Sequence, residues 1–185
     1  MKRIAFFIVF LFATTLVPCM AQEQGKHSYE VGAGINAYGI LGAAGGPGRT
    51  LGPGVHFEYR NSISDRFDLG GRIYYKYGTG KSAPTGGPTW GIVFNQVGAK
   101  AVADFIMRPA KVVRPYIGAG AGAGMMIEKA STGTSDTSIY GTIGPRIGLQ
   151  IWRFRLALEF DFAYNMQYGF LSTETATGLS LSCVF

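Results

Sequence analysis

The chain has 185 residues, and its composition excludes several classes of protein. Charged residues make up 15% of it and 28 residues are Gly, whereas an ordinary soluble domain has about 25% charged residues and about 7% Gly. The length fits one domain. Its two Cys and two His are too few for a disulfide scaffold or a typical zinc site, so we expect no metal and no cofactor.

The N-terminus has the pattern of an export signal. Two basic residues, Lys2 and Arg3, precede an apolar run over 4–17. This run is shorter than the ~20 residues that a membrane-spanning helix needs. Small residues follow it, as they do before a signal-peptide cleavage site. We therefore expect cleavage between Ala21 and Gln22.

Cleavage there divides the chain into a signal peptide over 1–21 and a mature domain over 22–185. The alternative is lipidation at Cys19, although Pro18 stands where lipoprotein signals usually carry Gly, Ala or Ser. The mature domain would have 15 basic and 11 acidic residues, a net charge of +4, once two of the 17 bases are removed. Its Lys and Arg residues are dispersed, so nucleic acid is not an expected partner.

Apolar and polar residues alternate through most of the chain after residue 28, which is typical of β-strands with two different faces. In FRLALEFDFAY over 154–164, Phe, Leu and Tyr occupy one face, and Arg155, Glu159 and Asp161 occupy the other with two Ala. Eight such segments are predicted. They are 28–42, 53–61, 66–78, 90–106, 115–127, 138–151, 154–165 and 175–185.

The connections between the segments alternate in length. Short ones, at 62–65, 107–114 and 152–153, follow the second, fourth and sixth segments. The others are longer and rich in Gly, Pro, Ser and Thr. Long loops at one end and tight turns at the other are typical of an up-and-down barrel. The four predicted loops are 43–52, 79–89, 128–137 and 166–174.

The distribution of residues between the two faces separates a membrane barrel from a soluble barrel that carries a lipid. One face is apolar in all eight segments, and the other is polar, charged or Gly. The interior of an eight-stranded barrel is only just wide enough for side chains, so it cannot hold the large apolar set, whereas lipid can surround it. We therefore predict an all-β, eight-stranded antiparallel transmembrane β-barrel.

Aromatic residues near both ends of the segments agree with this prediction. Transmembrane barrels carry two aromatic girdles, one on each side of an apolar band ~25 Å tall. The aromatic residues near the turns include Tyr29, Tyr59, Tyr116, Trp152 and Phe154, and those near the loops include Tyr75, Phe94, Tyr140 and Tyr164.

The face assigned to the barrel interior, or lumen, carries six acids and six bases. Buried charges need partners of opposite sign, so we expect these side chains to pair and to plug the lumen. The set consists of Glu30, Glu58, Arg60, Asp68, Arg72, Lys76, Lys100, Asp104, Arg146, Arg155, Glu159 and Asp161.

Two patterns that carry chemistry in other proteins are assigned structural roles here. The run GAGAGAG over 118–124 has the letters of a dinucleotide fingerprint, but it lies within a predicted strand and no helix follows it. Its Gly residues would leave room for Arg and Lys side chains from across the lumen. His56 is the one His within a predicted strand. Parity directs it into the lumen, where a hydrogen-bonded His is favoured over a general base.

The strand pattern also predicts pairing. A barrel has no free edge, so the first and last segments should pair antiparallel. The two-residue turn at 152–153 places Ile151 opposite Phe154 on the outer face and Arg146 opposite Glu159 in the lumen. Slipping the register by one residue would exchange the two faces, so the pattern determines the register strongly.

The chain ends in GLSLSCVF over 178–185, with alternate apolar residues and a final Phe. With the export signal and the eight strands, this ending resembles the small outer-membrane β-barrels of Gram-negative bacteria, namely the OmpA transmembrane domain and OmpX-like barrels. The resemblance covers the whole mature chain. It implies that the barrel-assembly machinery reads a C-terminal signal, here Leu179, Leu181, Cys183 and Phe185.

The resemblance further implies a location in the outer membrane, with periplasmic termini, extracellular loops and contact with lipid and lipopolysaccharide. We expect a monomer that is not an enzyme, with a structural role or a surface interaction through its four loops. A narrow pore is an alternative, although twelve lumen charges disfavour it. A lipid-modifying enzyme is a further alternative. Outer-membrane lipid A deacylases carry a lipid-facing His-x-Ser pair, whereas His56-Phe57-Glu58 has no Ser and is directed inward.

Overall fold

Eight antiparallel strands form one closed barrel in the computed structural model of the protein. Each strand pairs with its neighbour in sequence, and the first strand closes the barrel against the last. The structure describes residues 27–41, 49–82, 90–109, 111–165 and 173–185. The strands are β1 (His27–Leu41), β2 (Arg49–Ser64), β3 (Phe67–Ser82), β4 (Trp90–Ile106), β5 (Val113–Ala130), β6 (Ser135–Ile151), β7 (Phe154–Asn165) and β8 (Thr173–Val184).

The predicted signal peptide lies outside the described residues. This applies to Cys19 and to the expected cleavage site between Ala21 and Gln22. No helix within the described ranges is long and apolar enough to cross a membrane.

The two faces of the strands separate as the alternation predicted. Outward side chains are mostly apolar and exposed, for example Ile35, Ile73 and Ile143, each about 60% accessible. Inward side chains are mostly polar, charged or Gly. A soluble monomer rarely exposes apolar patches of more than a few hundred Å². A belt around the whole barrel therefore requires lipid as its surroundings, and the fold is that of a transmembrane β-barrel.

Both predictions about pairing are confirmed. β1 pairs antiparallel with β8 from Glu30 to Leu41. In the β6–β7 hairpin, Ile151 lies opposite Phe154 and Arg146 lies opposite Glu159. The connecting turn has Trp152 at a φ of 55°. The primed turns that suit the twist of a hairpin need a positive φ at this first position, so the hairpin geometry imposes a conformation that Trp rarely adopts.

The strands extend further than predicted at the loop end, so the predicted loops 43–52, 79–89, 128–137 and 166–174 were too long. β2 begins at Arg49 and β3 continues to Ser82, while the β5–β6 loop shrinks to residues 131–134. Backbone hydrogen bonds between strands require only a neighbouring strand. Strand pairing therefore continues beyond the residues whose side chains alternate between apolar and polar. The remaining long connections, over 42–48, 83–89 and 166–172, lie outside the described residues.

The Gly residues of β5 make room chiefly for the neighbouring strands. A Cβ atom at Gly122 would collide with the carbonyl oxygen of Ala99, and one at Gly118 would collide with the Asp104 carboxylate. At Gly120, by contrast, the nearest atom would be 3.5 Å away. The expectation that these Gly residues accommodate Arg and Lys side chains from across the lumen therefore needs correction, because the colliding atoms belong to the adjacent strands, β4 and, at Gly124, also β6.

This difference within one run predicts unequal effects of the same substitution. Gly122→Ala should destabilise the barrel by roughly 1–3 kcal/mol, because the backbone of β4 must shift to accept the new methyl group. Gly120→Ala, two residues away on the same face, is the matched control and should change stability little. Urea unfolding in lipid vesicles measures both variants. Equal midpoints would contradict the close approach of β4 to Gly122.

Candidate functional site in the barrel lumen

The centre of the lumen is an ion-pair network built around Arg60 of β2. Its guanidinium contacts three carboxylates, with Nε 3.1 Å from Glu30 Oε2 and the two terminal nitrogens against Glu58 and Asp104. All three carboxylates are fully buried. Since an isolated buried carboxylate is very unfavourable, these acids depend on the Arg side chains that contact them.

Two further Arg side chains join Arg60 on the side of the short turns. We call this part of the network the lower layer. Arg146 places Nε 3.0 Å from Asp104 Oδ1 and Nη1 3.3 Å from Glu58 Oε2. Arg155 Nη2 donates to Asp104 Oδ2 at 2.7 Å. The Arg155 guanidinium also lies 3.7 Å from the centre of the Tyr116 ring, which is a cation–π contact.

The upper layer, toward the loops, extends the network to β7. Arg72 Nε donates to Glu58 Oε2 at 2.5 Å, and another of its nitrogens contacts Glu159 on the opposite wall. Asp161 accepts from Lys100 Nζ at 2.5 Å and from Lys76 Nζ at 3.2 Å.

These two Lys side chains also contact one aromatic ring. Their Nζ atoms lie 5.0 Å (Lys76) and 5.2 Å (Lys100) from the centre of the Tyr74 ring, at cation–π distance. The two layers share Glu58, which contacts both Arg72 and Arg146, so the network is continuous from the turn side of the lumen to its upper half.

The structure brings together eleven of the twelve side chains that the sequence placed in the lumen. The exception is Asp68, which accepts a hydrogen bond from Ser62 Oγ at 2.7 Å and has no ion pair within the described part of the chain. The Arg146–Glu159 contact is long, at 3.9 Å. The shorter contact of Glu159 is with Arg72, because strands on opposite walls approach each other across so narrow an interior.

Sequence reasoning did not foresee the polar partners of Glu30. His56 Nε2 lies 3.2 Å from Glu30 Oε1, and Ser182 Oγ donates to the same oxygen at 2.5 Å. Parity indicated that His56 points inward, and its contact with Glu30 lies between the adjacent strands β1 and β2. The Ser182 contact depends on the closure between β1 and β8. Ser182 had no distinguishing signal other than its inward parity.

Three aromatic residues expected in the girdles instead point into the lumen. Tyr116, Tyr140 and Phe94 are almost fully buried, and the Tyr140 hydroxyl lies 2.9 Å from that of Tyr74. Each occupies an even-numbered position, which is inward in its strand. The alternation contained this information, and position near a strand end was the wrong criterion.

The charged groups of the lumen are arranged as mutual partners. The buried carboxylates of the network are in contact with Arg or Lys, and no group of side chains suited to a metal ion occurs among the described residues. A small cavity beside the network is lined by residues that include Asn36, His56, Tyr74, Lys76 and Gly34.

The predicted assembly signal lies on the strand that closes the barrel. Leu179 and Leu181 are exposed on the outer face, and Cys183 lies opposite Phe154 in the ladder. The backbone N–H and carbonyl of Phe185 bond to Tyr29 at 2.7 and 3.1 Å. The last residue is therefore paired with β1.

Comparison with solved structures identifies the type of barrel. The chain is similar to Neisserial surface protein A, with 16% identity, coverage of 88% of this chain and 98% of that chain, and a TM-score of 0.55. It is also similar to the attachment invasion locus protein Ail of Yersinia pestis, with 16% identity, coverage of 88% and 100%, and a TM-score of 0.51. The chain has the fold of the small outer-membrane β-barrels.

This fold also occurs in an enzyme. The outer-membrane enzyme PagL matches with 16% identity, coverage of 83% of this chain and 98% of that chain, and a TM-score of 0.54. No protein-family model matches the chain, and no curated protein matches it either. At these identities the likeness establishes the fold of an outer-membrane barrel and leaves its activity open.

The network predicts that removing the charge of one buried acid lowers the stability of the barrel. Asp104→Asn should destabilise the barrel by about 3–5 kcal/mol, because it leaves buried Arg side chains without a counter-charge. Asp65→Asn, at an exposed position in the β2–β3 turn, is the matched control and should have little effect. Urea unfolding in vesicles measures both. Similar midpoints for the two variants would show that the network is not needed for stability.

Proposed function

We propose that the protein is an integral outer-membrane protein whose plugged barrel serves a structural role or presents its loops to a surface partner. The observation that carries this proposal is the ion-pair network. It links Arg72 of β3 to Glu159 of β7 across the lumen and fills an interior that is only just wide enough for side chains. A lumen filled by paired charges favours a scaffold over a channel.

The proposal includes an orientation. The short turns lie at the same end of the barrel as the start of β1 and the end of β8, and export by a signal peptide would leave this end in the periplasm. The longer connections would then face the outside and contact lipopolysaccharide. Ail is the attachment invasion locus protein of Yersinia pestis, and its crystal structure in complex with the heparin analogue sucrose octasulfate matches this chain with a TM-score of 0.51. By analogy, the loops are the proposed site of any surface interaction.

A non-enzymatic role is part of the proposal, although PagL shares the fold. The chain has two His. His56 contacts Glu30 in the lumen, and Nδ1 of exposed His27 is hydrogen-bonded to the Tyr59 hydroxyl, 2.7 Å away. Neither is bonded to a Ser hydroxyl within the described residues, so neither resembles a lipid-facing Ser–His pair. Release of acyl chains from labelled lipopolysaccharide by the purified protein would support the enzyme alternative.

The plugged lumen predicts the behaviour of the purified protein. Without heating, the folded barrel should migrate faster than the denatured chain on a gel, and it should give no current steps in planar lipid bilayers. A matched measurement on Asp104→Asn tests whether the network is the barrier. Discrete current steps from the unmodified protein would instead favour the narrow pore.

The C-terminus predicts an assembly effect that is separable from stability. Phe185→Ala should lower the amount of protein in the outer membrane, because it removes the aromatic residue that resembles an assembly signal. Phe185→Tyr should restore it. Urea unfolding should show little difference among the three proteins, since the paired groups of residue 185 belong to its backbone. Outer-membrane levels of Phe185→Ala equal to those of the unmodified chain would contradict the role of the final Phe.

A further inference from the structure

The positive charge of the mature chain is concentrated at the short-turn end of the barrel. The lumen set is balanced, with six acids and six bases, and the strand ends next to the loops carry three of each sign. The short turns and adjoining strand ends carry one acid, Asp65, and five bases. These bases are Arg66, Arg108, Lys111, Arg114 and Arg153.

Backbone hydrogen bonds hold three of these turns side by side. The carbonyl of Arg66 accepts from Ile106 N at 2.8 Å, which joins the β2–β3 turn to the end of β4. The carbonyl of Val112 accepts from Trp152 N at 3.3 Å, which joins the β4–β5 turn to the β6–β7 turn. Four of the five bases, Arg66, Arg108, Lys111 and Arg153, therefore form one basic rim in these turns. Arg66, Arg108 and Lys111 are exposed.

Apolar and aromatic groups accompany the basic rim. Val112 is 73% accessible and Trp152 is 60% accessible, and the Arg153 guanidinium lies 5.9 Å from the centre of the Trp152 ring. Trp is enriched at the boundary between the bilayer and water. The rim therefore lies at the level of the lipid headgroups on this side of the membrane.

An apolar groove runs up the outer wall from the same end. It has a volume of about 300 Å³ and crosses the wall from β5 to β8, which is within the range of small-molecule sites. Met107, in the β4–β5 turn next to Arg108, forms its lower end. The lining includes Met107, Pro115, Leu149, Leu156, Leu158 and Leu179.

We propose that this groove and the basic rim bind an anionic phospholipid from the leaflet at the short-turn end. An acyl chain occupies the groove, and the headgroup phosphate meets Arg108, Lys111 and their neighbours. Basic clusters beside membrane-spanning elements recognise anionic headgroups, with ~1 kcal/mol per Lys or Arg. The groove supplies a position for one lipid, which a diffuse surface charge does not. This inference rests on the proposed insertion of the barrel in a membrane.

Fluorescence quenching by brominated lipids tests the site. Trp90→Phe leaves Trp152 as the one Trp, because the chain has two. The protein is inserted into phosphatidylcholine vesicles with the same fraction of brominated phosphatidylglycerol or brominated phosphatidylcholine. We expect the anionic lipid to be enriched at Trp152 by about fivefold, the equivalent of one well-placed basic contact.

Two variants separate the rim from general surface charge. Arg66→Gln/Arg108→Gln/Lys111→Gln should abolish the preference for the anionic lipid, and the loop-side control Lys81→Gln/Lys129→Gln should retain it. Leu158→Phe, which narrows the groove, should reduce the preference while the rim remains intact. Heat-modifiable migration verifies that every variant is folded.

Each contrary outcome has a definite meaning. Equal quenching by the two lipids overturns the phospholipid site and leaves the membrane barrel standing. No quenching by either lipid overturns both, because Trp152 would then not lie at a membrane. Loss of the preference on adding inorganic phosphate, at an ionic strength matched with chloride, would show a phosphate site without a lipid and would overturn the proposal.

Discussion

The structure depends on the requirement that every backbone polar group in hydrocarbon be hydrogen-bonded within the protein. A β-sheet meets this requirement only if it has no edge, so the first and last strands must pair. β8 does so along its length against β1, and the terminal residue Phe185 continues the ladder to Tyr29. The closure between the two ends of the chain is thus the condition for all the other contacts.

Closure with eight strands then determines the chemistry of the interior. The lumen is narrow, so charged side chains that point inward reach across it to residues on other walls. Arg60 of β2 contacts Glu30 of β1 and Asp104 of β4, and Arg72 of β3 contacts Glu159 of β7. The contacts of Arg60 with Asp104 and of Arg72 with Glu159 join strands that are not neighbours in the sheet. Gly residues on the inner face allow this crowding, as the approach of the Asp104 carboxylate to Gly118 illustrates.

The sequence predicted those features that follow from alternation alone. The inward direction of Glu58, Arg146 and Asp161 and the β6–β7 register follow from the period of two and from a two-residue turn. The ends of β2, β3, β5 and β6 were predicted less well, because backbone pairing continues beyond the apolar belt. Tyr116 shows a different failure, since its parity was correct and its position near a turn was given too much weight.

The partners within the lumen were not predictable, because they depend on how the walls face one another. Alternation put Arg146 and Glu159 opposite each other, which is correct for the backbone. However, the shorter contact of Glu159 is with Arg72, four strands away. Asp68 had the same inward parity as the other acids but bonds Ser62 near the end of the lumen. Parity gives the face of a residue, and only the closed barrel gives its neighbour.

The network also specifies the register of the barrel, independently of any net stability that it contributes. Buried ion pairs are often no more stabilising than apolar groups of the same shape, so stability alone is a weak reason for eleven charged side chains in the lumen. A one-residue slip of β2 or β3 would turn Arg60 or Arg72 toward lipid. An Arg on the lipid face costs about 2–4 kcal/mol at the middle of the bilayer, and the acids left behind would lose their counter-charges. The correct register is the one in which every charge of the network has a partner, and this is why an interior so rich in charge is compatible with a single fold.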